Sequence, residues 1–424
     1  METLRFPTAE DAAGLKSVSS ARISPDGVHI AFVLGYPDQV DKNAPQSLIW
    51  TVPTKGGAPR QLTSGPSSDS SPIWSPDGQT LAFLSDREEK GKFQIYLLPV
   101  QGGEAIKLTR LDGGVEMPRN LDPIVWSSDG KRIAYLYTDP DTAGETRQKN
   151  DKDDALEYEK HHKFTRLYVM DVETVETVCV SPDGVQVWEF CWSPDGAGFV
   201  AVVSALPYDW SWYTCQLVSF SSTNAPVLTL HQSKRQVAKP TISPDGRQVA
   251  FLASNWSDRG MAAGGVFLVS RDGGDARNLS DKHVASVTSL AWSPDGNRLL
   301  TTAEEQGEFG LAEIDVSTGR RRSLWRGFAT ISDLNAFDCV ERIPFVRTDP
   351  TSPADLWLAE GKSEQVMWTK LTRMNPQVAE FRLGEVETVH WEASDRTELQ
   401  GLVIRPVSPV SEGPWPMVTM VHSG

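Results

Sequence analysis

One tetrapeptide, Ser-Pro-Asp-Gly, returns along this chain at a nearly constant interval, and no other feature limits the fold as tightly. It stands at Ser24–Gly27, Ser75–Gly78, Ser181–Gly184, Ser193–Gly196, Ser243–Gly246 and Ser293–Gly296, with a near-copy, Ser-Ser-Asp-Gly, at Ser127–Gly130. Between serines 24, 75, 127, 193, 243 and 293 the steps are 51, 52, 66, 50 and 50. A charged insertion around residues 140–163 accounts for the long step. The copy at Ser181, 12 residues before Ser193, is an out-of-phase turn inside a unit. A fixed period near 50 means that one small unit is repeated, and a unit that cannot bury its faces alone must stack on its neighbours.

Each copy has a mechanical reading. Proline at the second turn position presets φ, aspartate bonds nearby backbone N–H groups, and glycine takes the left-handed conformation that releases the next strand. Apolar runs follow every turn, at Ile30–Leu34, Leu81–Leu84, Ile133–Tyr137, Phe199–Val203, Val249–Ala253 and Leu299–Thr302. A second strand pair comes about 15 residues later, as in Ile95–Val100, Gln101-Gly102-Gly103 and Ile106–Thr109. Four short antiparallel strands in about 50 residues match a propeller blade. Trp74, Trp126, Trp192 and Trp292 each precede an in-phase turn and are expected to pack between adjacent blades. Residues 331–371 repeat the strand content without the tetrapeptide and read as a degenerate seventh blade, with strands at Leu334–Cys339, Ile343–Arg347, Asp355–Ala359 and Gln365–Leu371. Ahead of the first blade, Thr8 and Asp11 form a cap for a short helix over Ala9–Lys16.

The expected fold is therefore all-β. It comprises an N-terminal segment (1–20), a seven-bladed propeller of four-stranded antiparallel blades (21–375), and a different unit over 385–424. In that last unit Glu385–Trp391 and Glu398–Arg405 read as two strands, followed by a proline-rich loop. Met417–Val421 is a continuous apolar run of the kind found in a strand covered on both faces. Three strands cannot close a core, so a further domain is expected to complete this unit.

Tandem Trp-Ser-Pro-Asp-Gly blades, the hairpin around Ser394-Asp395-Arg396-Thr397-Glu398-Leu399, the proline-rich loop and the strand running into Val421-His422-Ser423-Gly424 resemble the prolyl oligopeptidase family. Within it the chain is most similar to the acylaminoacyl-peptidase and dipeptidyl-peptidase-like branch. Asp153–Ala155 through Arg166–Tyr168 resembles that branch as well. The resemblance implies a propeller placed before a C-terminal α/β-hydrolase domain, of which 385–424 would be the incomplete beginning. It also implies a serine peptidase acting on short peptides, with the propeller gating access. Ser423 stands where the family usually has glycine, and Arg396 where the hairpin usually has one. TolB-like propellers share the tetrapeptide blades, so a non-catalytic propeller binding a protein partner is the alternative.

No Gly-x-Ser-x-Gly occurs in the 424 residues, so the nucleophile, Asp and His of a hydrolase triad are not assigned here and the chain alone is expected to be inactive. By resemblance, the Gly424 backbone N–H is the candidate oxyanion-hole donor, and Arg166 is the candidate to hold a peptide carbonyl or carboxylate in the central cavity. A plain strand or surface role for Arg166 stays open. His422 at a strand end and His161-His162 in the charged insertion read as structural and solvated, not as metal ligands. The tetrapeptide aspartates are accounted for as turn chemistry, not as calcium ligands. No metal and no cofactor is expected.

Charge and cysteine usage bound the partners. Fifty-six acidic against 41 basic residues leave −15, which argues against a nucleic-acid groove. No apolar run reaches membrane-spanning length, and no secretory signal opens the chain. Cys179, Cys191, Cys215 and Cys339 fall singly among apolar residues and read as free thiols in a reducing compartment, so a cytoplasmic location is expected. Oligomeric state is left open, self-association included.

Overall fold

The computed structural model describes residues 4–37, 46–118, 121–152, 162–221, 226–232, 235–256, 258–280, 285–334, 342–361, 366–407 and 416–421. Every in-phase tetrapeptide performs the same local chemistry. In the second copy Ser75 Oγ donates to Asp77 Oδ1 (2.5 Å), and the same oxygen accepts the Gln79 N–H (3.0 Å). The Thr80 N–H returns to Ser75 Oγ (3.0 Å). Gly78 sits at φ +70°, and its equivalents lie between +69° and +73°. The turn is thus fully hydrogen-bonded by its own side chains and delivers the chain into the next strand with a set register.

These turns connect the first and second strands of six four-stranded antiparallel sheets, over residues 17–61, 69–107, 124–179, 186–232, 236–278 and 286–327. The seventh sheet, 330–370, has strands Thr330–Ser332, Arg342–Asp349, Ser352–Glu360 and Met367–Lys370. The chain is a seven-bladed β-propeller. The degenerate blade is real. Its first strand lies at Thr330–Ser332, and the expected strand at 334–339 falls mostly outside the described residues.

Tryptophan joins the blades by more than area. Trp74 Nε1 donates to Arg22 O (2.9 Å) of the preceding blade, Trp126 Nε1 to Ile73 O (3.3 Å) and Trp292 Nε1 to Thr241 O (3.2 Å). Trp192 is the exception: its ring packs on Phe199 at 4.8 Å, yet its buried N–H has no partner.

Each blade is built from its own consecutive strands, so no strand is shared where blade 7 meets blade 1. Side chains close the ring there. Val18, Ile30 and Phe32 pack on Val346, Leu356 and Leu358. The Asn375 carboxamide accepts from Lys16 N and donates to Lys16 O, both at 2.8 Å. Arg342 donates to Gly27 O (3.0 Å). The N-terminal helix α1 (Ala9–Ala13) carries the expected Thr8/Asp11 capping box and ends at Gly14, and the Arg5 backbone pairs with that of Phe381.

Two parts differ from the sequence reading. The charged insertion holds a helix, α2 (Ala143–Asn150), opened by a Thr142/Glu145 capping box. Met417–Val421 is not a strand: its residues pair with no neighbour, and Met417, Val418, Met420 and Val421 are at least 80% exposed. Apolar content favours a strand only where a ladder partner takes the backbone N–H and C=O groups, and among the described residues no partner strand lies beside this run. The expected pair before it does form a two-stranded sheet, Val386–Glu392 with Glu398–Ile404. Among the described residues no helix is long and apolar enough to cross a membrane.

Candidate functional site

In a four-stranded antiparallel blade the first-to-second and third-to-fourth turns emerge on one face. The second-to-third hairpins and the blade-to-blade crossings emerge on the other. The tetrapeptide turns therefore hold one face of the propeller, while the longest connections, 139–164 between the second and third strands of blade 3 and 108–123 between blades 2 and 3, stand on the other. The C-terminal sheet touches that second face: the Gln400 carboxamide lies 2.8 Å from the Gly307 N and 3.2 Å from the Gln306 O, at the tip of the blade 6 hairpin.

Arg166 opens the third strand of blade 3 (Thr165–Asp171) on this face. Its Nε donates to Ser181 Oγ (2.9 Å), and its Nη2 to Ser181 O (2.8 Å) and Asp183 Oδ1 (2.9 Å). Here the out-of-phase tetrapeptide acquires a role. It lies in the crossing from blade 3 to blade 4, and its serine and aspartate hold a guanidinium instead of closing a blade turn. The Asp183 side chain is wholly exposed, so this ion pair is open to water.

Beside it the connections of blades 3, 4 and 5 bring aromatic rings together. His162 Nδ1 lies 3.1 Å from the Tyr208 hydroxyl, and Tyr208 stacks on Trp210 at 5.9 Å. Trp210 belongs to a one-turn helix, α3 (Asp209–Trp212), whose Asp209 pairs with Arg259 at 3.4 Å. The Arg259 guanidinium sits 4.2 Å above the Trp188 ring, on the innermost strand of blade 4, which places this cluster at the mouth of the axial channel. Beneath it Trp212 is buried and stacks on Trp256 at 5.7 Å.

Charged side chains also line the axis. Innermost strands carry bulges, with Ser20, Ser71 and Lys239 at φ between +51° and +55°. Two of these bulges offer N–H groups to carboxylates of the preceding blade. Ser20 N donates to Asp333 (2.9 Å), and Lys239 N to the buried Glu189 (2.6 Å). Arg22 reaches from blade 1 past blade 2 to Asp122, just ahead of blade 3. Burial pushes the Asp333 carboxyl above the usual carboxylate range, opposed by Arg22, and burial pulls the Lys239 ammonium down.

The remaining candidates are simply placed. Gly424, His422 and His161 lie outside the described residues. Cys179, Cys191 and Cys215 are free thiols, and burial holds the Cys215 thiol up at about 12. Among the described residues no group of three or more His, Cys, Asp and Glu could hold a metal. The aromatic and axial clusters were missed by motif reading. The signal for the first was the density of Tyr208-Asp209-Trp210-Ser211-Trp212-Tyr213, too aromatic for a plain loop.

A family model described as the TolB beta propeller domain matches residues 8–157. The chain is 31% identical over 247 residues to the uncharacterized peptidase YuxL of Bacillus subtilis, covering 58% of this chain and 31% of that protein. It is 23% identical over 346 residues to dipeptidyl-peptidase 5 of Porphyromonas gingivalis, covering 76% and 49%. The chain is thus similar to a TolB-type propeller over its first part and to named peptidases over more than half of its length. Among solved structures, an acylaminoacyl peptidase in complex with Z-Gly-Gly-Phe-chloromethyl ketone superposes with a TM-score of 0.70 at 18% identity, over 95% of this chain and 59% of that one. That likeness concerns the fold. The chain spans half or less of the length of these curated relatives.

Proposed function

We propose that this propeller gates a serine-type peptidase acting on short peptides, in the manner of acylaminoacyl- or dipeptidyl-peptidases. The α/β-hydrolase domain that residues 385–424 begin would supply the Ser, Asp and His. The observation that carries the reading is the seating of the 386–404 hairpin on the face that bears Arg166 and the aromatic mouth. A domain continuing from that hairpin meets the same face, and the channel mouth opens toward its active site. Arg166 then anchors a peptide carbonyl or carboxylate in place of Asp183, and the Gly424 N–H serves the oxyanion. A gate of this kind would restrict substrates to short peptides.

The test is enzymatic. The 424 residues extended by their downstream coding sequence are expected to hydrolyse acyl-amino-acid and dipeptide p-nitroanilides, and residues 1–424 alone are not. Arg166→Ala in the extended protein is expected to raise KM about tenfold, the scale of one lost charge-assisted hydrogen bond. A downstream sequence without Gly-x-Ser-x-Gly, Asp and His in that order would sink the reading. The match of residues 8–157 to a TolB propeller favours a second reading, a non-catalytic propeller that binds a protein partner. That outcome would be met by an inactive extended protein which retains a partner on the insertion-bearing face.

A further inference from the structure

We propose that Trp210 and Tyr213 form an aromatic subsite, which takes the ring of a phenylalanine or tyrosine in a peptide lying across blades 3 to 5. The proposal deepens the peptide-gating reading above and rests on it. Trp210 and Tyr213 stand three residues apart on the single turn of α3 and its C-cap, a spacing that makes them neighbours on one helical face. They are 54% and 40% exposed, whereas Ser211 and Trp212 on the other side are buried.

A one-turn helix without a side-chain cap has no stability of its own, so something else holds these rings outward. Four contacts do so. Trp212 is stacked on Trp256, and the Trp256 Nε1 donates to Ala263 O (2.6 Å). Tyr208 stacks on Trp210 and is itself tied to His162. Asp209 is paired with Arg259. Trp212 also packs edge-on to Tyr213 at 5.6 Å. The rings are therefore fixed before any ligand arrives, and binding costs little side-chain entropy.

The size of the patch selects its occupant. Two rings present far less than the ~800 Å² that each partner contributes to a stable protein interface. One peptide side chain fits that scale. Exposed π faces favour a second ring, through offset or edge-to-face packing, over an aliphatic group of equal area. The neighbouring Arg166 offers an anchor for the main chain of the same peptide, and the seated hairpin at Gly307 marks the face as the one a following domain meets.

The test is direct binding to the 424-residue chain, independent of hydrolysis, with N-acetyl-Gly-Phe-Gly-amide and its Ala and cyclohexylalanine counterparts titrated by ligand-observed NMR. The Phe peptide is expected to bind about tenfold more tightly than the Ala peptide, with cyclohexylalanine between them. Trp210→Ala and Tyr213→Ala should erase the preference, while Trp210→Phe keeps most of it. Unchanged circular dichroism of the variants confirms that folding is intact. Equal binding of Phe and Ala peptides to the parent chain, or a preference that survives both alanine variants, overturns the subsite and leaves the gating reading standing. If no blocked peptide binds the parent chain at all, the subsite falls, and the gating reading is decided by the hydrolysis test on the extended protein.

Discussion

Four tryptophans occupy the same place in the repeat, yet they are not energetically equal. Trp74 and Trp292 fill an inter-blade seam and also satisfy a carbonyl of the blade before them, whereas the Trp192 N–H is buried without a partner. Phenylalanine keeps most of the apolar area and removes the N–H. At Trp74 or Trp292 this removes one hydrogen bond from a ladder carbonyl, at a cost of about 1 kcal/mol. At Trp192 it removes an unpaired donor, so only the smaller ring counts. Urea unfolding is expected to show Trp74→Phe and Trp292→Phe destabilised by about 1 kcal/mol more than Trp192→Phe. Equal losses at all three positions would mean that these hydrogen bonds contribute nothing net. Arg166 makes the same point in another way. The tetrapeptide that elsewhere closes on itself gives up its serine and aspartate to the guanidinium at 181–184.

The turn element carries the pH dependence. Asp26, Asp77, Asp129, Asp195, Asp245 and Asp295 are all held below the usual carboxylate range, first by the adjacent serine hydroxyl and then by a backbone N–H. A lowered folded value means that the unfolded chain binds more protons as acid is added. The stability these turns supply is therefore complete above about pH 4, the unfolded aspartate value, and is lost as pH falls through the lower folded values. The melting temperature is expected to fall steeply below pH 4. Asp77→Asn and Asp245→Asn should be less stable than the parent at pH 7, and the gap should close as pH falls below about 4 through the lowered folded values. A gap that stays constant across that range would show that the carboxylate charge is irrelevant to the turn. Asp333 works in the opposite direction. Its raised value favours folding in acid and opposes it as the group ionises, so it softens the decline without reversing six turns.

At the scale of the whole molecule, the ring depends on a seam without a shared ladder. Every other blade junction is continuous in sequence, but among the described residues blades 7 and 1 meet through side chains, the Arg5–Phe381 bridge and the Asn375 clasp on Lys16. Asn375→Ala removes both bonds of that clasp from a buried position and is expected to cost about 2 kcal/mol. Hydrogen exchange should then rise first at Ser17–Ile23 and Ser352–Glu360, ahead of the central blades. Uniform exchange across all seven blades would show that the seam is no weaker than the rest. A propeller closed in this way can open at one junction without unpairing any strand, and the insertion-bearing face lies next to that junction's N-terminal cap.

Most of the fold was legible in the sequence because its determinants are local. A Ser-Pro-Asp-Gly turn completes its hydrogen bonds within six residues, so its spacing sets six of the seven blades, their strand order and the tryptophan seams. The seventh blade followed from strand content, and Thr8-x-x-Asp11 was read as a helix cap. Thr142-x-x-Glu145 was present but hidden by the charge around it. Met417–Val421 failed because an apolar run becomes a strand only beside a partner, and that depends on what lies next to it in space. The same holds for the site. Arg22 with Asp122, Lys239 with Glu189, and Tyr208 with His162 are 46 to 100 residues apart and carry no motif. Curvature of the ring brings them to one axis or one rim, and only the folded chain could show which polar groups face one another there.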